Sequence, residues 1–187
     1  MAVFCYYKIM KLIIINGAPG SGKTSVAEEV HRSMSPLSFL FKFDAQRRFL
    51  KDRHENKQEA RTLIYEVCKG VVETCFGQGK DVICEGVFPD AYFLNDLENI
   101  AKQFHTQVYE FILHADKQTI IKRSTNRPMP ADALPDSKQV GDDVVEKYWN
   151  QIEVLKNERT LAKQIDVKQN NLDQVVKLIM PYTIQSV

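Results

Sequence analysis

The sequence predicts an α/β protein, with a parallel sheet covered by helices on both faces. Two observations carry this. Short apolar runs rich in β-branched and aromatic residues alternate with longer stretches of helical apolar spacing. The first such run, Leu12-Ile13-Ile14-Ile15, leads through a glycine-rich bend directly into a helical pattern that lasts to about Met34.

The remaining elements follow in order. Ser35-Pro36 stops the first helix. Phe39 to Phe43 reads as a second strand, ending at Asp44. A long helix is expected from Lys57 to Phe76, its apolar face formed by Leu63, Val67, Val71 and Cys75 and joined by Ile64, Cys68 and Val72. Gly77 and Gly79 end it. Asp81 to Glu85 is a short strand buried on both faces. Pro89-Asp90 opens a helix carrying Phe93, Leu97, Ala101 and Phe104. Val108 to Leu113 is the fourth strand, and Asp116 is placed to cap the helix through Ile120, Ile121 and Arg123. Asn126 to Val140 is loop-like. A helix over Asp142–Asn157, a fifth strand over Gln164–Val167 and a last helix around Leu172–Ile179, stopped by Pro181, complete the chain.

The 187 residues fit one domain, residues 1–187, with a lid-like segment around 117–140. Lys plus Arg number 25 and Asp plus Glu 24, a balance that gives no support to a general nucleic-acid or membrane-surface binder. No apolar run approaches the ~20 residues a bilayer span needs. The apolar start, Met1 to Tyr7, lacks the basic head and long centre of a signal peptide, and Met10 offers a second start just before the first strand. Cys5, Cys68, Cys75 and Cys84 form no C-x-x-C pair. Cys68 and Cys75 stand ~10 Å apart on one helix, too far for a disulfide. Reduced thiols in a cytoplasmic protein are expected.

The glycine-rich bend is Gly17-Ala18-Pro19-Gly20-Ser21-Gly22-Lys23-Thr24, a complete match to the phosphate-binding pattern G-x-x-x-x-G-K-[ST] in its strand-loop-helix setting. Gly17, Gly20 and Gly22 are read as admitting backbone angles that let several N–H groups face one anion. The helix beginning near Lys23 adds its positive end. Lys23 is a point charge for β- and γ-phosphates, and the Thr24 hydroxyl is a ligand for Mg²⁺. The expected cofactors are therefore ATP and Mg²⁺.

Ligands of parallel sheets bind at the carboxyl ends of the strands. That rule selects Asp44, at the end of the second strand, as a base or acceptor ligand. It also selects Glu85, at the end of the third, as a metal or substrate ligand. Arg123 and Arg127 stand where one can stack on adenine and the other can clamp the transferring phosphoryl. Arg47 leads the basic group Arg47, Arg48, Lys51 and Arg53, read either as a solvated face or as a grip on an anionic acceptor. Tyr148 and Trp149 are read as core residues. No metal-ligand spacing of histidines appears.

These motifs together resemble the small P-loop kinases, in particular the AAA-type kinase-like group with chloramphenicol phosphotransferase, zeta-toxin-like and adenylate-kinase-like enzymes. Beside Gly17–Thr24, the resemblance rests on Asp44 followed three residues later by Arg47, on Ile83-Cys84-Glu85-Gly86, and on the Arg123 and Arg127 pair. It implies a P-loop three-layer sandwich with a five-stranded parallel sheet of order 2-3-1-4-5. It further implies transfer of the ATP γ-phosphoryl group to a hydroxyl of a small-molecule acceptor. Lys23, Asp44 and Arg127 would be catalytic; Asp44, Arg47 and Glu85 would hold the acceptor; Thr24 and Glu85 would hold the metal. Two other readings remain open at this level. One is a polynucleotide 5′-hydroxyl kinase, to which the basic group points. The other is a nucleotide-dependent regulatory protein that transfers nothing to a metabolite; the absence of an N-K-x-D motif argues against a GTPase.

Overall fold

The computed structural model describes residues 9–51, 53–128 and 140–183. The strands are β1 (Lys11–Gly17), β2 (Phe39–Lys42), β3 (Val82–Gly86), β4 (Gln107–His114) and β5 (Lys163–Asp166). They form one sheet in the order β2-β3-β1-β4-β5, with every neighbouring pair parallel. The fold class and strand order are those expected.

β1 is buried along its whole length because it is central and covered on both sides. Leu12 and Ile14 face a core shared with α3 (Lys57–Gly77) and α4 (Ala91–Gln103). Ile13 and Ile15 face a second core shared with α1 (Lys23–Arg32) and α7 (Leu172–Ile179). α6 (Asp142–Glu158) sends Ile152 and Leu155 to the first core and Val145 to the second. Each fully buried aliphatic side chain contributes on the order of 2 kcal/mol, so the strand that carries the glycine bend is firmly held.

Two local differences from the sequence reading have physical causes. β2 stops at Lys42, and Phe43 opens a single helical turn, α2 (Phe43–Gln46). Phe43 turns inward because it fits an aromatic cluster, with ring centroids 4.8 Å from Tyr65 and 5.6 Å from Phe88. That buried ring fixes where Asp44 stands. In α3 the buried stripe is Ala60, Ile64, Cys68, Val72 and Phe76. Leu63 and Val67, expected on the apolar face, are 49% and 44% exposed. The two stripes are adjacent on the helix, and the one that reaches Phe76, which packs on Phe104 at 5.8 Å, is the one that docks.

Some helix starts are set by side-chain caps. Asp116 accepts from Thr119 N at 2.9 Å at the start of α5 (Lys117–Thr125), and Asn171 with Gln174 closes a capping box on α7. Cys68, Cys75 and Cys84 are free thiols. The Cys68 and Cys84 sulfurs lie 3.7 Å apart, and burial pushes the Cys68 thiol up, keeping it protonated. No helix among the described residues is long and apolar enough to cross a membrane. Cys5 and most of the proline-rich part of the expected lid lie outside the described residues.

Candidate active site

The loop from Gly17 to Thr24 leaves the carboxyl end of β1 and enters α1. Gly20 has φ +91° and Gly22 has φ +82°, both in the left-handed region. Gly20 also lacks room: an added Cβ would stand 2.5 Å from the Ile120 carbonyl oxygen. Gly17 is not in that region, contrary to the sequence reading. What it needs is space, because a Cβ there would lie 2.7 Å from the Leu113 carbonyl oxygen.

The loop is built for an anion. α1 begins without a side-chain cap and without an acidic residue in its first turn, so its positive end is left uncompensated. The Ser21 hydroxyl is buried with no hydrogen-bond partner. Lys23 is only 6% exposed, and its ammonium lies 3.9 Å from the Asp44 carboxylate, beyond hydrogen-bond distance. An orphaned hydroxyl, a buried lysine and an uncapped helix end fit a polyphosphate.

Glu85 ends β3 beside the loop and is 2% exposed. The Thr24 hydroxyl lies 3.2 and 3.3 Å from its two oxygens. Burial pushes the Glu85 carboxyl up to about 6; Lys23 and Lys42 pull it down and Asp44 pushes it up. Thr24 and Glu85 thus offer a hydroxyl and a carboxylate side by side, a donor set suited to a hard cation such as Mg²⁺.

In front of the loop lies a cavity of about 840 Å³. Pro19 and Lys23 reach it from the loop, Asp44 and Arg47 from the end of β2, and Arg127 from beyond α5. Asp44 is half-exposed at its rim. Arg47 starts a short 3₁₀ turn and is half-buried, with a buried Nε that has no partner. Arg123 does not line this cavity: its Nη1 donates to the Val167 carbonyl at 3.0 Å and ties α5 to the exit of β5. Trp149 behaves as a packing residue, with Nε1 donating to the Ala115 carbonyl at 2.9 Å.

Against this geometry, the family model described as an AAA domain, AAA_33, matches residues 12–155. The chain belongs to the AAA domain family AAA_33. Its fold is that of the small P-loop kinases. The tunicamycin resistance protein of Deinococcus radiodurans is 20% identical, with a TM-score of 0.61 over 95% of this chain and 97% of that one. A gluconokinase from Sinorhizobium meliloti 1021 is 14% identical, with a TM-score of 0.67 over 93% and 91%. A chain of the Pnkp1/Rnl/Hen1 RNA repair complex is 19% identical, with a TM-score of 0.62 over 84% of this chain and 49% of that one. A search of curated proteins gives no match.

Within this AAA domain, four side chains that the sequence reading did not place at the site belong to its frame. Asn16, fully buried, donates from Nδ2 to the Phe88 carbonyl at 2.9 Å. Its Oδ1 accepts from Phe88 N and Gly17 N, at 3.0 and 2.8 Å. It clamps the segment after β3 to the start of the loop. A polar residue closing an apolar strand immediately before the bend was its visible signal. Arg61, Tyr65 and Tyr148 line the cavity from α3 and α6. The 87-residue separation of Arg61 and Tyr148 left no local pattern to read.

Proposed function

We propose that the protein is an ATP- and Mg²⁺-dependent kinase that phosphorylates a hydroxyl of a small molecule seated in the 840 Å³ cavity. The observation that carries the reading is that the phosphate loop opens onto this cavity with a lysine, a carboxylate and arginines on its wall. In this reading Lys23 and the loop N–H groups hold the phosphates, and Thr24 and Glu85 hold the metal. The metal would supply charge neutralisation on the phosphate oxygens. Asp44 orients the acceptor hydroxyl and takes its proton. Arg127 faces the charge of the transferring group. The hydroxyl oxygen forms a bond to the γ-phosphorus as the bond to the bridging oxygen breaks, and ADP leaves.

The test is an acceptor screen with labelled ATP and Mg²⁺, run beside the Lys23→Ala protein. Transfer to an acceptor should be lost and ATP binding weakened in that variant. Turnover that survives the change would refute the mechanism.

A further inference from the structure

We propose that the acceptor carries an oxyanion, a carboxylate or a phosphate, besides the hydroxyl it offers, and that Arg61, Tyr65 and Tyr148 receive it, with Arg47 beside them. This rests on the kinase reading for what the cavity holds and adds the chemical class of the occupant.

The argument is a count of donors. A guanidinium has five N–H donors and no acceptor. Arg61 spends three: Nε on the Tyr65 hydroxyl at 2.8 Å, Nη2 on the Val87 carbonyl at 3.0 Å, and Nη1 on the Tyr148 hydroxyl at a long 3.4 Å. One N–H remains on each terminal nitrogen. Both phenol oxygens are acceptors toward Arg61, so each keeps an O–H to donate. Among the described residues no acceptor takes any of these four. The buried Nε of Arg47, on the same cavity, also has none. A wall of donors lacking acceptors is complementary to a group that only accepts, and an oxyanion is such a group.

The charges agree. Arg61 is half-buried, and neither it nor Arg47 forms an ion pair with a carboxylate among the described residues. The acidic residues on the cavity wall form no ion pair with either arginine. Glu66 and Asp96 are held by Lys69, at 2.7 and 3.2 Å, and Asp44 faces Lys23. Asp90 caps α4, taking the Tyr92 N–H at 3.2 Å, and its charge reaches Arg61 and Tyr65 without forming an ion pair with the guanidinium. Lys57 and Lys147 add further positive charge to the same wall. The hydrogen-bond partners of Arg61 are all neutral oxygens, and an anionic occupant adds the directly paired charge that a half-buried guanidinium lacks. Burial pushes the Tyr65 hydroxyl up, so it stays a donor at neutral pH.

The receptor is also held in place before any ligand arrives. The Tyr65 ring stacks on Phe93 at 4.0 Å, and the Arg61 guanidinium lies over the Tyr65 ring at 5.2 Å. One complementary acceptor completes the set. The Oε1 of Gln151, buried behind this wall without a partner, accepts a hydrogen bond from a hydroxyl of the occupant once its side chain turns toward the cavity. The class is therefore a hydroxylated organic anion.

The experiment is calorimetry on the full chain with Mg²⁺ and a non-hydrolysable ATP analogue, using two matched pairs of probes. Gluconate against sorbitol tests a carboxylate; thymidine monophosphate against thymidine tests a phosphate. The anionic member of one pair should bind at least about tenfold tighter than its neutral partner, and which pair shows it names the anion. Arg61→Gln should bring that pair to parity. Tyr148→Phe, which keeps the ring, should weaken the anion about three- to tenfold and leave the neutral partner unchanged. Thermal melts check that both variants fold. Parity in both pairs, no binding of either anion, or a preference that survives both substitutions would overturn the proposal. Binding is read without turnover, so the two readings fail separately. Anion preference without any phosphoryl transfer refutes only the kinase. Transfer to neutral acceptors with parity in binding refutes only the anion site.

Discussion

Replacing Glu85 by glutamine keeps the shape of the side chain and removes its charge, and the site sets the size of the effect. Burial raises this carboxyl from its ordinary 4.5 to about 6. Each unit corresponds to about 1.36 kcal/mol, so the ionised carboxylate costs the nucleotide-free fold about 2 kcal/mol. The sign follows from proton counting. Between pH 4.5 and 6 the folded chain binds more protons at this position than the unfolded chain does. The stability it contributes is fully present below 4.5 and is lost as the pH rises through 6. Glutamine has no such loss, and its carbonyl still accepts from the Thr24 hydroxyl. Without metal or nucleotide, Glu85→Gln should therefore be more stable than the native protein by about 2 kcal/mol at pH 7.5 and by less than about 1 kcal/mol at pH 5. For a chain of this size the larger gain is about 4–8 °C in Tm. Urea melts at the two pH values measure it. The same variant should lose Mg²⁺-dependent transfer, gaining stability at the expense of activity. A variant no more stable at pH 7.5, or a gap that fails to narrow at pH 5, refutes the reasoning.

Three further outcomes follow from individual contacts. Asp44→Asn should lower turnover by about 10²–10⁴-fold with nucleotide affinity nearly unchanged; an equal loss of affinity would assign Asp44 to the nucleotide instead. Gly20→Ala should cost about 1–3 kcal/mol and weaken nucleotide binding, since φ is +91° and the new methyl would meet the Ile120 carbonyl; an unchanged melt would show that the loop yields. Ile64→Ala should cost about 2–5 kcal/mol and Leu63→Ala under about 1 kcal/mol, because Ile64 is 3% and Leu63 49% exposed; the reverse order in chemical denaturation would return the apolar face of α3 to the stripe read from the sequence.

What was legible in the chain divides along a physical line. The strands and the loop are local: apolar runs and a fixed spacing of glycines with lysine carry them, and the sheet order followed from the resemblance those residues support. The α3 face was ambiguous because two neighbouring stripes are both apolar, and only docking against Cys84 and Phe104 chooses between them. Asp44 is selected by the strand-end rule and does line the cavity, yet its position depends on Phe43 turning into an aromatic cluster, which no local pattern states. Arg123 is assigned to the nucleotide by its spacing from Arg127, and the bond it makes to the Val167 carbonyl has no local pattern to announce it. Arg61, Tyr65 and Tyr148 were invisible for a related reason. Their chemistry comes from helices brought together by the sheet: Arg61 and Tyr65 alone look like ordinary polar residues of a helix surface, and Tyr148 reads as core from its apolar neighbours.

The contact between Lys23 and Asp44 bears on the order of events in the proposed reaction. At 3.9 Å, with Asp44 half-exposed, this pair is worth no more than about 1 kcal/mol. A polyphosphate in the loop offers Lys23 a larger opposite charge, supported by the uncapped end of α1 and the unpartnered Ser21 hydroxyl. Lys23 therefore exchanges partners at little cost, and the Asp44 carboxylate is left to face the acceptor. The same lysine acts on Glu85, which feels Lys23 and Asp44 with opposite sign, so it stands between the proposed metal-side and acceptor-side carboxylates. In the proposed reaction, a single weak ion pair at the cavity would thus be exchanged when the nucleotide arrives, leaving Asp44 to the acceptor.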